Sequence, residues 1–200
     1  MKTIVVASHN ENKIREIGQI IPASQAKVIS RDQAGVPPFE IEEDGTTFEE
    51  NSFKKANEIM KRCGMITIAD DSGLVVDCLG GAPGVYSARY AGEQCDDKAN
   101  NRKLAEMIRN FPFEERTGRF VSVITMVFPD GRSISARGEV DGHIIPDEIG
   151  ENGFGYDPMF IPLGYDITFG QFDPEAKNRI SHRGNALRKL SSILSRGGYL

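Results

Sequence analysis

A short apolar run leads directly into two adjacent carboxylates in Met65–Ile66–Thr67–Ile68–Ala69–Asp70–Asp71–Ser72–Gly73. The run has the length and composition of a buried strand, which we place at residues 66–70. A buried carboxylate is costly unless it has a partner, and ligands of open α/β sheets gather at the carboxyl ends of strands. The pair therefore predicts a cation site or a catalytic carboxylate. The alternative is a turn, since Asp-Asp-Ser-Gly also suits one.

Strand geometry separates the two acids. Successive residues of a strand face opposite sides of a sheet, so Asp70 and Asp71 should not share one role. We assign Asp71 to the site and Asp70 to a structural or supporting position.

Composition limits the classes of protein that the chain can be. Its 200 residues, 39% hydrophobic and 26% charged, fit a globular protein, and we expect one domain with two lobes over residues 1–200. The net charge of −5 argues against a general electrostatic grip on a nucleic acid polymer. No run approaches the ~18 apolar residues of a membrane span. The three cysteines have no C-x-x-C spacing, and together these features predict a cytoplasmic protein without a zinc site or a signal peptide.

The pattern of apolar residues predicts alternating strands and helices. Strands are expected at 4–7 and 26–29, and helices at about 11–21, 47–62, 97–109 and 183–194. Residues 119–128 and 133–140 flank Pro129–Asp130–Gly131, which is typical of a long hairpin. The fold class that follows is α/β, with an elongated mixed β-sheet, flanking helices, and two lobes around a central nucleotide-binding cleft.

Two segments carry lysines suited to phosphate. Ser8–His9–Asn10–Glu11–Asn12–Lys13 lies between the first strand and the first helix, where free N–H groups and the helix dipole can hold an anion. Lys55 shares a face of the second helix with Asn51. The alternative for both is an ordinary helix with solvated lysines.

An acidic segment precedes the second helix. It contains Glu40, Glu42, Glu43 and Asp44. Mg²⁺ takes one or two protein carboxylates and completes its shell with water and substrate phosphate oxygens, so one of these acids could join Asp71 on a metal. An acidic surface loop is the alternative.

Two further segments suit a nucleoside. In Gly153–Phe154–Gly155–Tyr156–Asp157–Pro158, glycines allow close backbone approach, Phe154 can stack on a base, and Asp157 can accept hydrogens from base or ribose. The alternative is a turn with aromatic core anchors. Ser181–His182–Arg183, preceded by Lys177, offers donors at a helix start for a carbonyl oxygen or a phosphate. Together with the acids and lysines, these segments fit a metal-assisted attack on a nucleoside polyphosphate.

Nearly end to end, the chain resembles the inosine/xanthosine triphosphate pyrophosphatases, which remove non-standard purine nucleotides from the pool. The resemblance rests on the segments 8–13, 48–56, 69–73, 80–89, 153–158 and 181–187, in this order. It implies hydrolysis of ITP, dITP and XTP to a monophosphate and pyrophosphate, dependence on Mg²⁺ (with Mn²⁺ as a substitute), and a homodimer. A nucleotide-binding regulatory module and a phosphatase that releases orthophosphate are the alternatives.

The resemblance also assigns residues by position. Asp71 matches the catalytic and metal-associated acid, and Glu40 is the candidate second metal ligand, with Glu43 as its rival. The substrate-binding positions are Ser8, His9, Asn10, Glu11, Asn12, Lys13, Lys55, Ser72, Phe154, Gly155, Tyr156, Asp157, Lys177, His182 and Arg183. Because Arg183 always donates, and His182 can, the pocket should prefer the 6-oxygen of inosine and xanthosine to the amino group of adenine.

Overall fold

The computed structural model describes residues 2–8, 11–21, 26–92, 95–197 and 199. Within the first helix, the side chains of residues 11, 12, 16, 19 and 20 lie outside this description. The predictions for His9 and Asn10, and those for the side chains of Glu11 and Asn12, therefore fall outside the described part of the chain.

Strands and helices alternate through the first half of the chain. The strands are β1 (Lys2–Val6), β2 (Ala26–Ser30), β3 (Ile66–Val76), β4 (Thr117–Val127), β5 (Ser133–Ile144) and β6 (Phe160–Pro162). The helices are α1 (Glu11–Ile20), α2 (Phe48–Cys63), α3 (Asp97–Ile108), α4 (Pro174–Ile180) and α5 (His182–Gly197).

The six strands form one mixed sheet in the order β2-β1-β3-β4-β5-β6. β1 is parallel to both β2 and β3, and β5 is antiparallel to β6. β4 and β5 are adjacent and are connected by a tight turn in which Gly131 N–H donates to Phe128 O. The predicted α/β class with a mixed sheet and flanking helices is confirmed. The central cleft stays a prediction.

Helix α2 begins and ends at strong local signals. The Thr47 side chain accepts a hydrogen bond from Glu50 N–H, and the Glu50 carboxylate accepts one from Thr47 N–H, which makes a capping box. Gly64 ends the helix in the left-handed region at φ 65°. These caps fix where the helix starts and therefore which residues it presents to β3.

Some elements differ from those predicted from the sequence. We expected the third strand to end at Asp70, but β3 continues to Val76, so the two acids lie in mid-strand. Helix α4, begun by Asp173 as N-cap and Pro174, was not predicted. Ser181, which directly precedes α5, is the C-cap of α4.

The chain divides into two compact units. Unit 1 contains Met1–Asp71, Ser122–Gly138 and Arg183–Leu200, and unit 2 contains Ser72–Val121 and Glu139–His182. In unit 1, alternate strand residues enter different core clusters: Ile4, Val6 and Ile68 pack with residues of α1 and α5, whereas Val5 and Ala69 pack with residues of α2. Both faces of this part of the sheet are thus covered.

Unit 2 has its own core. Its buried members are Leu74, Val76, Leu104, Ile108, Phe120, Ile144, Tyr156, Met159, Phe160, Phe169 and Phe172. The aromatic rings of Phe120, Phe160 and Phe169 contact one another.

Across the described ranges, no helix combines the length and apolar composition needed to cross a membrane.

Candidate active site

Strand alternation sends the two acids of β3 to opposite faces of the sheet in unit 1. Asp70 follows the face of Ile68, which is covered by α1 and α5, and Asp71 follows the face of Ala69, which is covered by α2. The two carboxylates accordingly bind different partners. This is the separation that the sequence predicts.

Asp70 is buried among hydrogen-bond donors. Its Oδ1 accepts from the Ser122 hydroxyl at 2.5 Å, and its Oδ2 lies 2.7 Å from Lys13 Nζ and 3.2 Å from Arg183 Nη2. Burial alone would raise the pKa of Asp70, but the charges of Arg183 and Lys13 outweigh it and hold the pKa well below 3.8. Asp70 is therefore a permanent anion that ties α1 and α5 to the strand.

Asp71 is only half satisfied. Its Oδ1 accepts from Lys55 Nζ at 2.6 Å, whereas its buried Oδ2 has no hydrogen-bond partner among the described residues. Burial raises the pKa of Asp71 from 3.8 to about 6, although the Lys55 charge opposes the rise. A buried, unpartnered carboxylate oxygen with a raised pKa is a candidate for proton transfer or for a cation.

Lys55 bridges Asp71 to the acidic segment before α2. Its Nζ lies 3.1 Å from Glu43 Oε2 as well as 2.6 Å from Asp71 Oδ1. Burial would raise the pKa of Glu43, but the charge and the hydrogen bond of Lys55 lower it. Glu40, which precedes Glu43 by three residues in the chain, is exposed. The structure thus brings Glu43, rather than Glu40, to Asp71.

The residues present fit a cation that is completed by its substrate. No group of three or more His, Cys, Asp or Glu side chains in the described ranges could hold a metal by itself. Mg²⁺ needs no such cage, because water and phosphate oxygens supply most of its ligands. The unpartnered Asp71 Oδ2 and the Glu43 carboxylate, which share Lys55, could supply the one or two protein ligands that such an ion takes.

The segment after β1 is described only in part. Ser8 is half-buried, and Lys13 lies in the first turns of α1 with its ammonium group on Asp70. A solvated lysine, the alternative weighed from the sequence, does not describe Lys13. The same holds for Lys55, whose side chain is 12% exposed.

Unit 2 contains the glycine-rich loop and Lys177. Asp157, buried, forms an ion pair with Lys177 Nζ, and its Oδ2 accepts from Phe154 N–H at 2.8 Å. Gly153 packs closely here, because a Cβ at this position would lie 2.1 Å from Asp157 Oδ2. Lys177 Nζ lies 5.0 Å from the centre of the half-buried Phe154 ring. Asp157 thereby shapes the loop that presents Phe154.

Tyr156 agrees with the alternative interpretation of that loop, in which its aromatic residues anchor it to the core. Its ring is buried in the core of unit 2, and its hydroxyl donates to Ser87 O at 2.7 Å. Burial raises the pKa of Tyr156, so the hydroxyl stays protonated. The side chain is a core anchor, and it leaves the backbone of the loop as the part that can face a ligand.

His182 is the first residue of α5, and its imidazole ring is stacked on an aromatic ring. The imidazole stacks on Phe120, with ring centres 4.8 Å apart and planes inclined by 13°. Its neighbour Arg183 is buried on Asp70, as described above. Ser72, the first residue of unit 2, is half-buried in β3 directly after Asp71.

Several supporting residues were missed from the sequence. Ser122 and Phe120 come from β4, where only the alternation of the strand could have marked them. Asp97 and Asn101 of α3 hold the glycine-rich loop: Asp97 Oδ2 accepts from Gly155 N–H at 2.8 Å, and Asn101 Nδ2 donates to Gly155 O at 3.1 Å. Their spacing of four on one helix was an available signal.

The fold is that of an α/β protein whose mixed sheet carries two buried, ion-paired carboxylates, Asp70 and Asp71, on β3. The chain belongs to the Ham1 family, whose model matches residues 4–193. The dITP/XTP pyrophosphatase of Clostridium perfringens is 47% identical over 200 residues, which cover 97% of this chain and 98% of that protein. The Bacillus subtilis dITP/XTP pyrophosphatase is 44% identical over 194 residues, covering 97% and 98%.

Solved structures agree with the fold. The Staphylococcus aureus Ham1 protein superposes with a TM-score of 0.89 at 43% identity and covers 98% of this chain and 100% of its own. A Mycobacterium abscessus protein, named nucleoside-triphosphatase and dITP/XTP pyrophosphatase, gives 0.79 at 40% identity and covers 96% and 98%. The family resemblance inferred from the motifs is thus confirmed.

Proposed function

We infer that this protein hydrolyses non-standard purine nucleoside triphosphates, namely ITP, dITP and XTP, to the nucleoside monophosphate and pyrophosphate. The observation that carries the inference is Asp71, buried with one oxygen on Lys55 and the other unpartnered among the described residues. It lies in a chain of a family whose relatives are named dITP/XTP pyrophosphatases. Groups with a strongly shifted pKa cluster at functional sites, and neither a module that only binds a nucleotide nor a purely structural role requires such a carboxylate.

The cations of unit 1 are proposed to bind the triphosphate. Lys13 and Lys55 are held in place by Asp70 and Asp71, respectively, so the chain orders both ammonium groups before a substrate arrives. Ser8, His9, Asn10, Glu11 and Asn12 are proposed from the sequence to bind phosphate oxygens as well, since α1 begins at Glu11 and backbone N–H groups at a helix start suit such oxygens.

Asp71 and Glu43 are proposed to hold Mg²⁺, with Mn²⁺ as a substitute. When bound, the ion neutralises phosphate charge and lowers the pKa of a nearby water. Lys55, which now bridges the two carboxylates, is then free to turn to a phosphate. Glu40, the ligand first expected, is replaced by Glu43 in this proposal because Glu43 and Asp71 both bind Lys55.

Asp71 is also proposed as the group that accepts a proton. With a pKa of about 6 it is mostly ionised at neutral pH, and its Oδ1, which Lys55 leaves on turning to a phosphate, would take a proton from the attacking water. The lysines stabilise the negative charge that develops on the departing pyrophosphate.

The nucleoside is proposed to contact the residues of the glycine-rich loop and the start of α5. Phe154 stacks on the base, the backbone at Gly155 and Tyr156 lies along it, and Ser72 contributes from β3. Lys177, His182 and Arg183 supply hydrogens for the 6-oxygen of the purine, and Asp157 holds Lys177 in place. Guanine also has a 6-oxygen, so the rejection of guanine nucleotides must come from a contact other than these donors.

The products of hydrolysis test the proposal. Purified protein is incubated with ITP and Mg²⁺, and the phosphorus NMR spectrum is followed with and without excess chelator. We expect inosine monophosphate and pyrophosphate with Mg²⁺ and no turnover with chelator. Orthophosphate as the first product would indicate a phosphatase instead, binding without turnover would indicate a regulatory module, and full activity in chelator would rule out the metal.

We propose further that the protein is a homodimer and works in the cytoplasm. The apolar segment Leu79–Val85 ends at Tyr86, which is 55% exposed and could lie against a second copy. Among the described residues, Cys63, Cys78 and Cys95 form no disulfide, as is usual in a reducing compartment. Light scattering at micromolar concentration tests the dimer, and fractionation of cells tests the location.

A further inference from the structure

Asn51 is a buried polar residue that the proposed chemistry does not use. It lies in the first turns of α2 and is 0% exposed. Its Oδ1 accepts from Gly45 N–H at 2.9 Å, and its Nδ2 faces Gly45 O at 3.5 Å. One side-chain amide thus binds both polar groups of one residue in the segment that precedes the helix.

The segment fits closely against this amide. A Cβ at Gly45 would lie 2.5 Å from Asn51 Oδ1 and 2.8 Å from Glu50 Cβ, so only glycine allows the approach. The next residues are also fixed to the helix, because the Glu50 carboxylate accepts from Thr46 N–H at 2.7 Å and from Thr47 N–H at 3.2 Å. Residues 45–47 are therefore attached to α2 through their backbone.

Glu43 is two residues before this attachment. Its carboxylate is held by Lys55, one turn after Asn51 on the same face of α2. Lys55, however, is the residue that should turn to a phosphate when substrate binds. The ion pair from Lys55 to Glu43 is then lost, whereas the bonds from Asn51 to Gly45 involve no group that the substrate needs.

We propose that Asn51 is a positioning residue for the second metal ligand. By fixing the backbone at Gly45, its amide keeps the Glu43 carboxylate beside Asp71 when Lys55 leaves, so that a divalent cation meets both acids in place. This role rests on the proposed function, since it requires that Asp71 and Glu43 bind a cation.

The test measures binding of Mn²⁺ alone to the purified protein by electron paramagnetic resonance. Asn51→Ala removes the amide. Gly45→Ala displaces the segment from the amide without changing Asn51. Using both variants keeps the test valid if one of them does not fold. We expect both to weaken Mn²⁺ binding roughly 10-fold, the lower end of the usual effect of residues that support metal ligands. The thermal unfolding curve of each variant is recorded alongside.

Asn100 offers a matched control in unit 2. It is also a buried asparagine whose amide binds loop backbone, with Oδ1 accepting from Ala91 N–H at 2.7 Å and Nδ2 donating to Ala88 O at 2.9 Å. Asn100→Ala should lower the melting temperature to a similar extent as Asn51→Ala. Its Mn²⁺ affinity should stay at the parent value.

A double variant separates positioning from a general structural effect. In a Glu43→Gln background, Asn51→Ala should weaken Mn²⁺ binding no further, because the ligand that it positions is already lost. An undiminished effect in that background would overturn the proposal, as would parent-like Mn²⁺ affinity in both single variants. If the parent itself bound no Mn²⁺ and hydrolysed ITP in chelator, the metal site of the proposed function would fail first and this role with it.

Discussion

Replacing Asp71 by Asn should impair the enzyme and stabilise its fold at the same time. The amide keeps the shape of the side chain but removes the charge that would bind a cation or take a proton. We expect turnover to fall by about 100-fold or more, the scale of general acid–base catalysis.

The stability change follows from the burial of Asp71. The pKa of this carboxyl rises from 3.8 to about 6 on folding. Each pKa unit corresponds to about 1.4 kcal/mol, so the ionised carboxylate destabilises the fold by about 3 kcal/mol above pH 6. Because the folded pKa is raised, the favourable contribution of neutral Asp71 is complete below pH ~4 and is lost as the pH rises to about 6.

Denaturant unfolding of the parent and of Asp71→Asn, with chelator at pH 4 and at pH 8, measures this difference. At pH 8 the variant should be more stable by up to about 3 kcal/mol, and at pH 4 the two proteins should be nearly equal. Turnover of ITP is measured on the same samples with Mg²⁺. Near-normal turnover, or a variant less stable than the parent at pH 8, would refute the assignment of a strained, ionised carboxylate at Asp71.

The adjacent acid should behave in the opposite way: Asp70→Asn should destabilise the protein by about 3–5 kcal/mol at pH 7, because it leaves buried cations without their anion. Since the pKa of Asp70 is lowered on folding, the deficit should persist down to pH ~4 and shrink below it; an equal deficit at pH 2 in unfolding curves would contradict this. Glu43→Gln should raise the Mg²⁺ concentration for half-maximal activity by roughly 10-fold, whereas Glu40→Gln should leave it unchanged; the reverse result would restore the first assignment. Arg183→Ala should lower kcat/KM for ITP more than for ATP, and an equal loss for both would remove Arg183 from base selection.

The sequence predicted strands β1 to β5, helices α1, α2, α3 and α5, and the separation of Asp70 from Asp71 on β3, but not β6 or α4. Period-two alternation suffices to send Asp70 and Asp71 to opposite faces, and the structure places them under different helices. It did not predict that β3 continues to Val76, because Asp-Asp-Ser-Gly has the composition of a turn and local propensity gives no information on strand pairing.

The choice between Glu40 and Glu43 was left open although a signal was present. Phe39, Ile41 and Glu43 are half-buried and alternate with exposed Glu40 and Glu42, so the period-two spacing of the apolar residues favours Glu43. The attachment of Gly45 to Asn51, which sets the path of the segment, is a contact between side chain and backbone that composition does not encode. Ser122 was missed because a hydroxyl on a distant strand becomes a partner of Asp70 only when the strands pair.

The most direct test of the account compares kcat/KM for ITP and for ATP with the purified protein and Mg²⁺, with pyrophosphate release as the signal. Against adenine, donors of the pocket would face a donor, and one unpaired buried group costs about 1–3 kcal/mol. We expect ITP to be cleaved at least ~10-fold more efficiently than ATP. Equal values of kcat/KM for the two nucleotides would contradict the proposed selection of the 6-oxygen.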